Sequence, residues 1–148
     1  MRVTAPAIIG VFVLAMSAAA CDEKLSDFAG PTPNLQPTFS SIQRDVFNAR
    51  DSSGRPACTS CHNPGGARFT GNLSLAEGTS YQALVGVPST GKAGAIRVVP
   101  GNPDASYLLN KVLGTDIVGD RMPRLGPYLS DGQIRIIRRW IELGAKND

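Results

Sequence analysis

The residues best suited to chemistry in this 148-residue chain are two cysteines and a histidine, in the order Cys58-Thr59-Ser60-Cys61-His62. This C-x-x-C-H spacing is the attachment pattern of c-type haem. Two thiols three positions apart can add to the two vinyl groups of one porphyrin, and the adjacent imidazole can bind its iron. The pattern therefore predicts one haem c, attached covalently through Cys58 and Cys61 and ligated by His62.

Other uses of these residues are limited by their scarcity. The chain has three cysteines and one histidine, whereas a structural zinc site takes four such ligands. A thioredoxin-like pair is expected near a βαβ pattern, which the sequence does not show. A disulfide between Cys58 and Cys61 would leave His62 unexplained. A redox-active or structural thiol pair without haem stays open as an alternative.

Met122 is the candidate for the second axial ligand, because it is the only methionine outside the N-terminal segment that we expect to be removed. It lies in a polar loop at residues 119–123, and a thioether ligand raises the reduction potential of haem iron. His62 is the only histidine, so two histidine ligands from one chain are impossible. A packing role for Met122, five-coordinate iron, and ligation by a Lys or Tyr are the alternatives.

The N-terminal segment has the features of an export signal. Arg2 is followed by an apolar, uncharged run at residues 5–20, which is shorter than the roughly 20 residues that a membrane span requires. Small residues lead up to Cys21, as at a bacterial lipoprotein processing site. We therefore expect residues 1–20 to be a lipoprotein signal peptide and Cys21 to carry the lipid. Ordinary cleavage after an alanine, which would leave Cys21 as a free thiol, is the alternative.

The rest of the chain divides into a tether and a domain. Residues 21–37 contain several prolines and no apolar periodicity, which indicates a flexible tether. Residues 38–148 then form the folded domain. Several acyl chains on one cysteine would hold this domain stably at a membrane surface.

Apolar spacing and capping residues predict helices in this domain. The first begins near Thr38 and ends in a loop that starts at Asn48. A shorter helical turn is expected at residues 80–85. The second helix follows an N-cap at Asp104 and stops at Gly114.

The last helix has the clearest signals. Ser130 and Gln133 form a capping box, and Gly144 provides the stop. No alternating strand run appears, although residues 72–75 and 96–99 could be short extended pieces. We therefore expect an all-α domain with long loops around a cofactor. The apolar half of the last helix comprises Ile134, Ile136, Ile137, Trp140, Ile141 and Leu143.

Charge says little about partners. A formal net charge of +3 predicts no nucleic acid binding, because that requires a dense basic face. Arginines between positions 121 and 139 face only Asp131 in that stretch, and could steer acidic redox partners. A solvated helix face is the alternative. The arginines are Arg121, Arg124, Arg135, Arg138 and Arg139.

The surroundings of the haem can also be anticipated. Three arginines, Arg97, Arg121 and Arg124, are candidates to pair with the haem propionates. Apolar residues of the loops and the second helix would supply the cavity wall. These are Val98, Val99, Leu108, Leu109, Val112, Leu125, Tyr128 and Leu129.

The order of these motifs resembles that of a known family. The matching stretches are residues 58–66, 71–75, 99–108, 122–123 and 129–145. They are similar to class I cytochrome c domains, most narrowly to those termed planctomycete-type, and the resemblance covers residues 38–146. It implies a small cytochrome c fold whose first and last helices pack together, with His62 and Met122 on opposite sides of the iron.

These features predict a monohaem c-type cytochrome that carries single electrons at the periplasmic or outer surface of a bacterial membrane. It would be held there by its lipid anchor and would exchange electrons with redox partner proteins. It would make and break no substrate bonds, so no enzymatic activity is expected. The alternative is a haem-based sensor in which Met122 dissociates or never binds, and the iron takes up a small molecule.

Overall fold

A computed structural model of the chain describes residues 34–64 and 71–148. The expected signal peptide (residues 1–20), Cys21 and most of the tether (residues 21–37) lie outside the described residues. The elements that are described are helical, and the prediction of an all-α domain is confirmed at that level. They are α1 (Phe39–Ile42), a π-helical turn (Gln43–Phe47), a 3-10 turn (Cys58–Ser60), α2 (Ser80–Leu84), α3 (Tyr107–Leu113) and α4 (Asp131–Glu142).

No strand forms within these two ranges. The piece at residues 96–99 takes part only in isolated bridges, which join Val85 to Val98, Pro88 to Ile96, and Ile96 to Ser106. None of the helices in the described part of the chain is long and apolar enough to span a bilayer.

The first helix begins where predicted, because the Thr38 hydroxyl accepts a hydrogen bond from the Ser41 amide at 3.3 Å. It continues into the π-helical turn, in which the Asn48 amide donates to the Gln43 carbonyl at 2.9 Å. The buried Gln43 side chain links this turn to the rest of the domain. Its amide donates to the Leu75 carbonyl at 2.9 Å, and its oxygen accepts from the Ser80 hydroxyl. Such a turn depends on these tertiary partners and has no sequence signal.

The predicted start of the second helix was wrong. The N-cap of α3 is Ser106, not Asp104. Residues 102–105 form a turn closed by a 3.1 Å hydrogen bond from the Ala105 amide to the Asn102 side chain. This turn leaves Asp104 in solvent, where it pairs with Arg138 at 2.8 Å. Gly114 ends α3 as predicted, with a φ of 81° that favours glycine.

The last helix begins as predicted. Ser130 accepts from the Gln133 amide at 3.2 Å, and the Gln133 side chain accepts from the Ser130 amide at 3.0 Å. The apolar face is buried except for Leu143, which is 45% exposed. Leu143 is wrongly placed by helical periodicity because α4 ends one residue earlier, at Glu142, ahead of the left-handed Gly144.

The two ends of the domain meet around Phe39. Its ring lies 5.3 Å from the Trp140 ring and 5.2 Å from the Tyr81 ring, measured between centroids. Trp140 is 1% exposed and donates to the Lys146 carbonyl at 2.8 Å, so it is a core residue. Tyr81 donates to the Ala145 carbonyl at 2.9 Å. Side chains of α1 and α4 are therefore in contact, on one side of a larger apolar core.

Candidate functional site

The C-x-x-C-H residues form a tight turn. Cys58 begins the 3-10 turn, and its carbonyl accepts hydrogen bonds from the amides of Cys61 at 3.2 Å and His62 at 2.9 Å. The His62 carbonyl in turn accepts from the Leu75 amide at 2.7 Å. Backbone hydrogen bonds on both sides of His62 thus hold the motif in a defined conformation.

The same turn is hydrogen-bonded to the end of the first helical segment. Carbonyls in the last turn of a helix lack intrahelical partners. Here the Cys58 thiol donates to the Val46 carbonyl at 3.6 Å, and the Thr59 hydroxyl donates to the Phe47 carbonyl at 3.3 Å. Side chains of the motif therefore provide hydrogen-bond donors for the free carbonyls at the helix end. These hydrogen bonds explain why the two segments are adjacent in space.

A buried ion pair supports this junction, and sequence reasoning did not identify it. Arg55 is 0% exposed and Asp51 4%, with 2.9 Å between the Arg55 Nε and the Asp51 carboxylate. Arg55 Nη1 donates to the Val46 carbonyl at 3.2 Å and lies 3.9 Å from the Cys58 sulfur. Arg55 Nη2 is buried without a hydrogen-bond partner. The four-residue spacing of Asp51 and Arg55 was visible in the sequence. The polar, loop-like composition around them, however, predicted exposed side chains.

A cavity of about 520 Å³ lies beside the motif. Cys58, Cys61, His62 and Met122 all line it, although Met122 is far away in the sequence. The volume falls within the ~300–1,000 Å³ typical of cofactor and ligand sites. Most of the other lining side chains are apolar, including Val46, Phe47, Leu73, Leu75, Leu84, Tyr107, Leu108, Val112, Val118, Leu129 and Ile137.

The expected wall is only partly correct. Leu108, Val112 and Leu129 line the cavity. Among the described residues, Val98 and Leu109 belong to the core instead of the wall, and Leu125 is 90% exposed. Val99 and Tyr128 do not line the cavity either, and Tyr128 is 46% exposed. Periodicity separates apolar from polar positions, but it does not distinguish core from cavity wall.

Only two of the three arginines predicted to pair with the haem propionates line the cavity. Arg97 and Arg124 line the cavity, whereas Arg121 is turned away over the Tyr128 ring, 3.9 Å from its centroid. Arg97 is 7% exposed and donates to the carbonyls of Ala83 and Gly71, each at 2.7 Å. Within the described ranges no carboxylate pairs with it, so Arg97 adds a positive charge to the cavity wall.

The predicted basic rim is largely neutralised. Arg124 pairs with Asp120 at 2.6 Å and Arg138 with Asp104 at 2.8 Å. Arg139 pairs with Glu142 at 3.3 Å. All three acidic partners lie outside positions 121–139, the stretch considered in the sequence. The fold brings them to the arginines, so a count along the chain overstates the local charge.

The electrostatics of His62 favour a neutral imidazole. Burial lowers the pKa of His62, and the positive charges of Lys111 and Arg97 lower it further, against the effect of the Leu73 carbonyl. Nδ1 is buried without a hydrogen-bond partner. A neutral histidine is the form that binds metals, so His62 is suited to be a ligand.

The environment of the two thiols is also partly buried. Cys58 and Cys61 are free and half-buried. Burial raises the pKa of Cys58, although the nearby Arg55 opposes this. In the parts of the chain described, no three side chains of His, Cys, Asp or Glu are grouped so as to hold a metal ion by themselves.

The chain matches no protein-family model, and no curated protein or solved structure is significantly similar to it. The function of the cavity is therefore inferred from its own residues. Two thiols, a neutral imidazole, a thioether and a buried guanidinium line one apolar space. Such a set could hold a flat, apolar cofactor that carries a metal ion and acidic substituents.

Proposed function

We propose that the chain is a monohaem c-type cytochrome that carries single electrons. Cys58 and Cys61 would hold the haem covalently, and His62 and Met122 would bind its iron. The observation that carries this proposal is the presence of Met122 in the wall of the same cavity as the C-x-x-C-H motif. Two sequence features that are independent along the chain thus converge on one space.

The residues of the cavity fit this group. The walls are mainly apolar, as a porphyrin face requires. The unpartnered Nδ1 of His62 is a polar atom buried without compensation in the structure, which is costly unless a ligand or water is involved. Arg97 offers a positive charge to acidic substituents.

Each residue would then have a distinct part. When bound, haem c supplies a one-electron iron couple. His62 binds as a neutral imidazole, and the thioether of Met122 raises the potential. Arg97 orients the propionates, and the apolar side chains exclude water. A small cytochrome c fold, with α1 and α4 in contact through Phe39 and Trp140, would enclose the group.

A redox-active thiol pair fits these residues less well. Reactive cysteines have lowered pKa values, which come from nearby positive charge and partial exposure. Burial instead raises the pKa of Cys58. The Cys58 thiol also donates to the Val46 carbonyl, so neither observation marks it as a reactive, exchange-active thiol.

The optical spectrum after maturation in a periplasm that attaches haem tests the proposal. Wild type should show covalently bound, low-spin haem with a methionine–iron charge-transfer band. Met122→Ala should lose that band completely and have a lower reduction potential, because the thioether is gone. Leu125→Ala, in the same loop but 90% exposed, should keep both. A colourless wild type would rule out haem, and high-spin iron that binds carbon monoxide in wild type would favour the sensor.

We further propose that Cys21 anchors the domain at the periplasmic or outer surface of a bacterial membrane, where it meets redox partner proteins. Wild type should sediment with membranes, and globomycin should block its processing. Cys21→Ala should be recovered in the soluble periplasmic fraction with its haem spectrum unchanged, because the anchor and the haem site use different cysteines. Membrane association of Cys21→Ala equal to that of wild type would contradict the anchor.

A further inference from the structure

Lys111 holds the segment that carries Met122. It lies on α3 and lines the cavity. Its carbonyl accepts a hydrogen bond from the Met122 amide at 2.8 Å. Its ammonium donates to the Asp120 carbonyl at 2.5 Å and to the Val118 carbonyl at 3.1 Å. One residue therefore binds the segment 118–122 through both its backbone and its side chain.

A second contact brings the same segment close to α3. Arg121 Nε donates to the Val112 carbonyl at 2.8 Å. A Cβ atom at Gly114 would lie only 2.8 Å from Arg121 Cδ. A side chain at position 114 would force Arg121 to shift, so glycine there leaves room for the Arg121 side chain to cross the end of the helix. These contacts align the segment with α3, but the Met122 amide itself is bound by Lys111.

Lysine has properties that suit this place. An ammonium has three donors and no acceptor, so it can bind two carbonyls of one turn at once. Hydrogen bonds from a charged donor are roughly twice as strong as neutral ones. Within the described ranges, no carboxylate is within ion-pair distance of Lys111, so the carbonyls are its main partners.

We infer that Lys111 is a positioning residue that keeps Met122 at the cavity in both oxidation states. This inference rests on the proposed function, in which Met122 is the sixth ligand. A segment held independently of the iron would place the thioether in the wall before and after electron transfer. A loose segment would let Met122 leave and would open the sixth position to small molecules. Lys111 thus favours the electron carrier over the sensor.

Hydrogen–deuterium exchange on the full-length protein tests the inference directly. Lys111→Ala should speed exchange of the Met122 amide at least tenfold, because segment 118–122 loses its charged hydrogen bonds. Lys111→Arg should restore most of the protection. Lys146→Ala, which alters an exposed lysine near the C-terminus, should match wild type. Unchanged Met122 exchange in Lys111→Ala would overturn the inference. If that variant does not fold, Lys111→Gln tests the loss of charge with a polar, hydrogen-bonding side chain one atom shorter.

The haem spectra of the same variants provide the second readout. Oxidised Lys111→Ala should keep its attached haem but show a weaker methionine–iron band and bind added imidazole more readily than wild type. A band and imidazole affinity equal to those of wild type would overturn the inference while leaving the proposed function intact. If wild type carries no haem, the proposed function fails. The exchange of the Met122 amide in that protein still decides whether Lys111 holds the segment.

Discussion

Replacing both motif cysteines, as Cys58→Ala/Cys61→Ala, is expected to abolish covalent haem attachment. Each thiol is proposed to form one thioether, and the tight turn that begins at Cys58 keeps the two thiols and His62 on one cavity. Without the two sulfurs, haem could be held only by the axial ligands His62 and Met122 and by packing. Haem staining after denaturing electrophoresis should fall from a strong signal to background. Each single variant should retain one linkage and an intermediate signal.

Cys21→Ala is the matched control, because it removes the remaining cysteine of the chain but none that lines the cavity. Its staining should equal that of wild type. Haem that stays with the denatured double variant would contradict attachment through Cys58 and Cys61. Loss of staining in both the double variant and Cys21→Ala would point to failed export or failed folding instead. Cell fractionation would reveal the first, and circular dichroism of the purified proteins the second.

Asp51→Ala is expected to destabilise the domain by about 3–5 kcal/mol, because it leaves the guanidinium of Arg55 buried without a counter-charge. Arg55 is 0% exposed, and one of its nitrogens already lacks a partner. Chemical denaturation at neutral pH, followed by circular dichroism, measures the change. The cavity wall should also become less stable, because Arg55 donates to the Val46 carbonyl and lies near Cys58.

The matched control is Asp104→Ala, which removes the exposed partner of Arg138. Exposed pairs contribute little, so its free energy of unfolding should change by less than about 1 kcal/mol. The double variant Asp51→Ala/Arg55→Met should be more stable than Asp51→Ala alone, because the uncompensated charge is gone. Equal effects of Asp51→Ala and Asp104→Ala would show that the buried pair has no special role.

Acid should weaken the domain through the same carboxylate. Burial alone would raise the pKa of Asp51, but hydrogen bonds from Ser53 and Arg55 outweigh it and leave the pKa lower than its ordinary value of 3.8. A carboxyl group with a lowered pKa in the folded state contributes stability above the unfolded pKa and loses it as the pH falls through the folded pKa. The denaturant concentration at which half of the wild-type protein is unfolded should therefore decrease once the pH is lowered below about 4. The same decrease should be smaller in Asp51→Ala.

Local sequence patterns were sufficient to predict where several helices begin or end. The capping box at Ser130 and Gln133, the stop at Gly114 and the start near Thr38 all follow from residues within a few positions of one another. Their hydrogen bonds form as predicted. The C-x-x-C-H turn and Met122 were likewise visible as residue types with known chemistry.

Other features depended on contacts between distant residues. Ser106, not Asp104, begins α3 because a turn at residues 102–105 precedes it. The π-helical turn depends on hydrogen bonds that Gln43 makes with Leu75 and Ser80. Neither arrangement has a repeating pattern along the chain, so periodicity could not predict it.

The residue types of the candidate site were evident from the sequence because the chain has one histidine, three cysteines and three methionines. Which apolar residues line the cavity, that Arg55 is buried against Asp51, and that Lys111 holds the segment before Met122 were decided by the tertiary structure. Composition and spacing specify chemistry and local hydrogen bonds. Burial and position depend instead on which distant segments pack together, since the same leucine, arginine or lysine can lie in a wall, a core or solvent.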